Sequence, residues 1–395
     1  MNFREIRLKQ EEYLSPRAAR STQSLGRMVE EPECAVRSLY ERDGNRILYS
    51  EEFRRLRHKT QVFFNAKNDH ICTRMEHVLY VNAISNTIGR TLGLNQDLIT
   101  AIALGHDVGH APFGHSGERA LNRCLQQKNP NLSFHHEYHS LRVVDRLSTR
   151  ISKEMINENC GLNLSYEVRD GIVSHCGENY EEYVLKADKT KRPEDIYTCD
   201  HRHNMPYTLE ACVVRIVDKI AYVGRDIEDA IRARLMDYSD ISGEIRAELG
   251  ATNGKMIDTL VQDLIENSYD TDYIRLSDAR GEALRDMILT NNKYIYRAKM
   301  IGRYENNADN AIEGLFEAIY PIVCRLIGRA DSRYSGMRAA LSEVAPEDKF
   351  ESRLLKYMME KNYDLQELPE QITADYIAGM TDGYALSVFE ELYWI

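Results

Sequence analysis

Residues 97–118 read DLITAIALGHDVGHAPFGHSGE. Leu98, Ala101, Ile102 and Leu104 recur at helical spacing, and Gly109, Pro112 and Gly114 then break the pattern. An apolar helix therefore delivers His106 and Asp107 near its end. The same period appears on either side. Val78, Val81, Ile84, Ile88 and Leu92 mark 76–92, and Val213, Val217, Ile220, Ile227 and Ile231 mark 211–234. Similar stripes run through 255–268, 281–300 and 308–330. Strand-like alternation is rare, with Ile47 to Tyr49 a short candidate. The expected fold class is mostly α: a multi-helix bundle with few or no strands.

Asn129-Pro130-Asn131 reads as a helix end, and the polar stretch 186–207, with its two prolines, as a loop or insertion. The organisation expected is an N-terminal segment (1–50), a core (51–235) and a helical C-terminal region (236–395) packed on it, with no clean linker between the last two. Bulk numbers fit such a chain. It has 395 residues, 43% of them hydrophobic and 29% charged. No apolar run approaches the roughly 18 residues of a membrane span, and the polar N-terminus has no signal-peptide core. A cytoplasmic protein without membrane contact is expected.

Fifty-one Lys and Arg against 62 Asp and Glu give a net charge of −11. That balance argues against nonspecific nucleic-acid binding but leaves room for a local basic pocket. Arg54, Arg55, Arg57, His58 and Lys59 are such a run, although a charge run is more often a solvated helix face. The eight cysteines contain no C-x-x-C pair and read as reduced core residues. Cys199, His201 and His203 can be drawn as a metal clip, but their spacing suits neither a zinc finger nor a helix face.

Six of the twelve histidines lie between 106 and 139: His106, His110, His115, His135, His136 and His139. Packing alone explains such a concentration poorly. One reading takes His106 and His110 as an H-E-x-x-H zinc-protease pair. It needs a glutamate where Asp107 stands and a continuous helix where Gly109 and Pro112 stand. The other takes His106 and Asp107 together at a helix end, with ligands added from other helices. His77, heading an apolar helix, is one candidate. Asp218, an acid inside the stripe Val213, Val214, Ile216, Val217 and Ile220, is the other, because a carboxylate there is costly unless paired or metal-bound. Two imidazoles and two carboxylates suit Mn, Fe, Zn, Ni or Mg.

The pattern H…HD…D, assembled with longer strings, resembles the deoxynucleoside triphosphate triphosphohydrolases of the HD superfamily, the dGTPase family. Those strings are Leu14-Ser15-Pro16-Arg17, Tyr49 to Phe63, Gly105 to Glu118, and Asp375 to Asp382, which together span nearly the whole chain. The resemblance implies attack of water on the α-phosphorus of a dNTP, releasing a deoxynucleoside and inorganic triphosphate. It implies a catalytic His115 oriented by Glu118, with His110 and His136 along the phosphates and Glu137 nearby. Arg55, Arg74 and Lys219 match phosphate contacts. Gln61, Tyr222 and Asp226 match sugar-side positions, Tyr296 lies near sugar or base, and His175 lies within range of the site. A homo-oligomer, dimer to hexamer, is implied too; a nucleic-acid regulator is not indicated. The competing readings are an HD phosphohydrolase of another nucleotide (a monophosphate, a cyclic nucleotide or a polyphosphorylated guanosine) and a non-catalytic nucleotide sensor.

Overall fold

The structure is a computed structural model that describes residues 3–61, 72–148, 161–176, 182–198, 204–361 and 363–393, with the side chains of 299 and 300 left out. The fold is a helical bundle. The described strands are Val184–Lys186 and Tyr273–Arg275, paired antiparallel with Val184 opposite Arg275.

Helix α1 (Leu39–Tyr49) starts at Ser38, whose hydroxyl accepts the Glu41 N–H at 3.1 Å. It absorbs Ile47 to Tyr49, so the strand expected there is a correction. Tyr40, Gly44 and Ile47 are buried at the i, i+4, i+7 spacing of one helix face. α2 (Arg74–Thr91) opens with the Glu76 carboxylate accepting the Thr73 N–H at 2.7 Å. α3 (Gln96–Gly105) is capped by Asn95 and is buried along most of its length between α1, α2, α6 (Tyr166–Val173) and α7 (Leu209–Arg232).

Between α3 and α6 lie α4 (Gly114–Lys128) and α5 (His136–Arg142), the latter running into a π-helical turn at Val143–Leu147. Gly114 thus opens a helix rather than closing one. α8 (Asp278–Asn291) ends in a second π-helical turn, Asn292–Tyr296, and α9 (Lys299–Gly328) runs 30 residues through Pro321. The stripe read over 281–300 is therefore divided by that turn. α10 (Pro369–Ala378) and α11 (Asp382–Tyr393) close the bundle.

The described parts of 186–207 are anchored. Lys191 bonds Asp170, the Asn204 side chain (2.7 Å) and the Met205 carbonyl (2.9 Å), and the Tyr207 N–H reaches Asp170 at 2.6 Å. Cys199, His201 and His203 lie outside the described residues, as do Cys160, Val62 and Phe63. Of the six described cysteines, all free, Cys72, Cys124 and Cys212 are buried; Cys34, Cys176 and Cys324 are only partly so, against the expectation of core residues. No described helix is long and apolar enough to cross a membrane.

The C-terminal helices clasp the segment that carries the histidines. The Asp382 carboxylate accepts the Phe113 N–H and the Thr60 N–H, each at 2.9 Å. Lys59 donates to the His110 and Ala378 carbonyls. Asp375 receives Arg142 in a bidentate pair at 2.8–3.0 Å and lies 3.3 Å from His139 Nε2. Gly109 lets the segment press on α5: a Cβ there would stand 2.2 Å from the Ser140 nitrogen. Phe113 and Gly114 both take left-handed backbone (φ 63°) where the segment turns into α4.

Candidate active site

Four side chains from three elements meet at the end of α3. His77 comes from the first turn of α2, His106 and Asp107 from the end of α3, and Asp218 from the middle of α7. His77 Nε2 is 2.8 Å from Asp218 Oδ1, and His106 Nε2 is 3.8 Å from Asp218 and 3.9 Å from Asp107. His106 Nδ1 is 2.8 Å from the Ala103 carbonyl, which directs the Nε2 lone pair inward. That Nε2 is buried and has no hydrogen-bond partner. A buried nitrogen with a free lone pair, two acids and a second imidazole is a donor set that fits a divalent ion. His175, on the turn after α6, faces His106 with ring centroids 4.9 Å apart.

Charges in this pocket hold one another. Burial alone would raise both acids, yet Arg74, ahead of His106 and His110, keeps Asp107 well below the usual carboxylate range, and His77 does the same for Asp218. Burial would lower His77, but the hydrogen bond and charge of Asp218 outweigh it and raise its pKa. Burial lowers His106, and it takes His175 down to about 3 with help from His106 and His136.

A second cluster lies beside the first. Glu118, near the start of α4, is 3.1 Å from His115 Nδ1, 3.0 Å from His136 Nδ1 and 3.8 Å from His110 Nε2. His110 stacks on His136 with centroids 4.7 Å apart. Burial, then the charges of Arg74 and His136, push His110 well below the ordinary histidine range, so it is neutral. His136 goes the other way. Burial would lower it, but the Glu118 carboxylate outweighs burial and holds it well above that range. The imidazoles form one continuous series from cluster to cluster: His77–His106 5.5 Å, His106–His175 4.9 Å, His175–His136 5.3 Å, His136–His110 4.7 Å and His110–His115 5.2 Å.

Arg74 stands between the clusters. Nη1 pairs with Asp107 at 2.5 Å, while Nε and Nη2 are buried without partners. Lys219 turns toward Glu182, 3.4 Å from its carbonyl and 3.8 Å from its carboxylate, and so is not bent back onto Asp218. Asp226 accepts a hydrogen bond from the Tyr296 hydroxyl, which joins α7 to the π-helical turn after α8. Tyr222 is half-buried one turn nearer Asp218. Gln61 Oε1 is buried without a partner. Arg55 lies 3.4 Å from Glu52, and a Cβ on Gly379 would stand 3.8 Å from its Nη1, so it faces α10.

The basic run at 54–59 does not act as one face. Arg54 and Arg57 are exposed, and Arg57 contacts His58 at 2.8 Å, whereas Lys59 is buried in the clasp. Burial, with the charge of Arg55, brings the Lys59 ammonium down to about 7. Of the six clustered histidines, His139 is structural: its Nδ1 is 2.6 Å from the Gly109 carbonyl. Sequence reasoning missed Glu182, which binds Arg215 and Lys219, and Cys176, which touches His136. Cys176 directly follows His175, and that adjacency was the available signal.

Comparison with known proteins covers the whole chain. The HD domain matches residues 74–223, and the phosphohydrolase-associated domain matches 274–391. A deoxyguanosinetriphosphate triphosphohydrolase-like protein from Caldanaerobacter subterraneus subsp. tengcongensis is 38% identical over 100% of this chain and 96% of the relative. Proteins of the same description from Clostridium tetani (34% identical, 96% of this chain, 92% of the relative) and Desulfatibacillum aliphaticivorans (33%, 97% and 95%) are similar to it as well.

Proposed function

The chain belongs to the HD-domain family of deoxyguanosinetriphosphate triphosphohydrolase-like proteins, and on that premise we propose that it hydrolyses dNTPs, dGTP among them, to a deoxynucleoside and inorganic triphosphate. The observation that carries this reading is the placement of Arg74, with two buried unpartnered nitrogens, between the metal-fitting tetrad and the histidines gathered on Glu118.

In this reading His77, His106, Asp107 and Asp218 hold a divalent cation. When bound, the ion supplies Lewis acidity that polarises the α-phosphate and acidifies the attacking water. The rest of the work belongs to the chain. Arg74 offers its free N–H groups to the phosphates, with Lys219 and Arg55 as further cations. His110, whose Nδ1 faces the Ala111 carbonyl at 3.2 Å, lines the phosphates, and cationic His136 supplies the hydrogen-bond donor and charge beside it. Water oxygen bonds to the α-phosphorus as the bond to the 5′-oxygen breaks. His115, the exposed member of the cluster, delivers a proton to that oxygen and is oriented by Glu118. Gln61, Tyr222, Asp226 and Tyr296 receive the sugar side. Assembly into a homo-oligomer belongs to the same proposal and is read by light scattering.

The test is a product analysis. Purified protein is mixed with each of four dNTPs and four rNTPs in Mn²⁺ or Mg²⁺, and the products are separated by chromatography. Deoxyguanosine with intact triphosphate from dGTP is the expected result. Formation of dGDP or dGMP with smaller phosphates overturns the reading.

A further inference from the structure

His136 and His175 each commit Nδ1 to a fixed partner. His136 Nδ1 is 3.0 Å from Glu118 Oε1, and His175 Nδ1 is 2.6 Å from the Ile172 carbonyl. Such contacts orient each ring and aim its Nε2 outward, as the outer partners of metal-binding histidines do. Both Nε2 atoms point at one atom: Cys176 Sγ lies 3.2 Å from that of His136 and 3.5 Å from that of His175. The two histidines are buried and their ring centroids are 5.3 Å apart. All three ligand atoms fall within 4.8 Å of one another.

We propose that His136, His175 and Cys176 form a second metal site, suited to a thiophilic divalent ion such as Zn²⁺. Bonds of about 2.3 Å to sulfur and 2.0 Å to nitrogen at a tetrahedral angle put the ligand atoms about 3.5 Å apart. The two sulfur–nitrogen distances here match within a few tenths of an ångström. The ligand set also differs in kind from the tetrad around Asp107 and Asp218, where carboxylate oxygens accommodate harder ions. Binding removes the Cys176 thiol proton and the Nε2 proton of cationic His136; both pass to solvent, and the freed sulfur and nitrogen lone pairs form the metal bonds. Because the ion engages His136 Nε2, it withdraws that ring from any other ligand. Under the proposed function, which sets His136 beside the phosphates, Zn²⁺ at this site is inhibitory.

The inference stands independently of the proposed substrate, since its readout is spectroscopic. Co²⁺ serves as the probe, added in two equivalents to the full chain under reducing, oxygen-free conditions. A cobalt–thiolate charge-transfer band in the near ultraviolet is expected in the wild type, because the tetrad has no sulfur. Cys176→Ser should lose that band and keep the visible bands of the nitrogen–oxygen site. In competition with a chromophoric chelator, the wild type should retain one more Zn²⁺ per chain than Cys176→Ser, with at least about tenfold tighter binding. Absence of the thiolate band in the wild type overturns the proposal even if the variant fails to fold. So does an undiminished band in Cys176→Ser, which would assign the sulfur to another cysteine.

Discussion

His136 is attached to Glu118 twice. Its Nδ1 lies 3.0 Å from Glu118 Oε1, and its backbone N–H donates to the same oxygen at 2.8 Å. One carboxylate thereby fastens the start of α5 to the N-terminal part of α4 and sets the charge of the imidazole that ends up beside His110.

Glu118→Gln separates those two tasks. The glutamine carbonyl still accepts the backbone N–H, so the melting temperature should move by only a few degrees. The negative charge that keeps His136 protonated and orients His115 is gone. Turnover should fall by about 10²- to 10³-fold, a size usual for loss of general acid support, while metal content is unchanged. Steady-state kinetics with metal analysis of the same preparation checks this. A variant with near-normal turnover would remove Glu118 from the chemistry.

Arg74→Lys tests the cationic bridge between the clusters. A lysine can keep the charge beside Asp107, but it has no planar fork to reach past it. Since Nε and Nη2 are the buried nitrogens without partners, the loss should appear in substrate handling. The expected result is a fall in kcat/KM of about 10²-fold, carried largely by KM, with the metal retained. Loss of the metal at unchanged KM would make Arg74 a supporter of Asp107 and no more.

The helical class and the tetrad could be read from local pattern, whereas roles for His110, His115, Glu118 and His136 came only from the family resemblance. An apolar period that ends in His106-Asp107, and an acid inside an apolar stripe at Asp218, are signals carried by neighbours in sequence. The clasp could not be read that way. Asp382 and Phe113 are 269 residues apart and meet through a backbone N–H, which every residue but proline possesses. The strand expected at Ile47 to Tyr49 failed because three apolar residues are too few to tell period 2 from period 3.6. Lys59 sat inside a basic run, and only its path between two carbonyls separates it from its exposed neighbours. For Cys176 the adjacent His175 is a local signal, but the approach of His136, forty residues earlier, is a tertiary contact that no neighbour in sequence reveals.

Asp382→Ala removes the acceptor for two backbone N–H groups, those of Phe113 and Thr60. Orphaned buried donors cost about 1–3 kcal/mol each. The variant should be destabilised by about 2–4 kcal/mol in urea unfolding, and activity should fall at temperatures where the fold survives, because Phe113 leads directly into His115. Asp382→Asn keeps one carbonyl oxygen and should lose about half as much stability. Equal losses for the two variants would contradict the shared-acceptor account.

Asp226 gives stability a pH dependence whose sign follows from burial. In the unfolded chain its carboxyl titrates near 3.9. In the fold, burial lifts it to about 7, although the Tyr296 hydrogen bond pulls it back; the charge of Asp229 adds to the rise. Between those two pH values the folded chain holds a proton that the unfolded chain has released. Stability from this group therefore falls as pH rises from about 4 to about 7 and is level above that. Fully expressed, the loss is on the order of 4 kcal/mol. Asp226→Asn cannot titrate, and its amide can still accept from Tyr296. It should match the wild type near pH 4.5 and be more stable at pH 8, with the gap opening across that window. Urea unfolding of both proteins at several pH values measures the gap. Curves that stay parallel would mean that Asp226 is ionised in the fold and that another cation or a bound metal holds its charge.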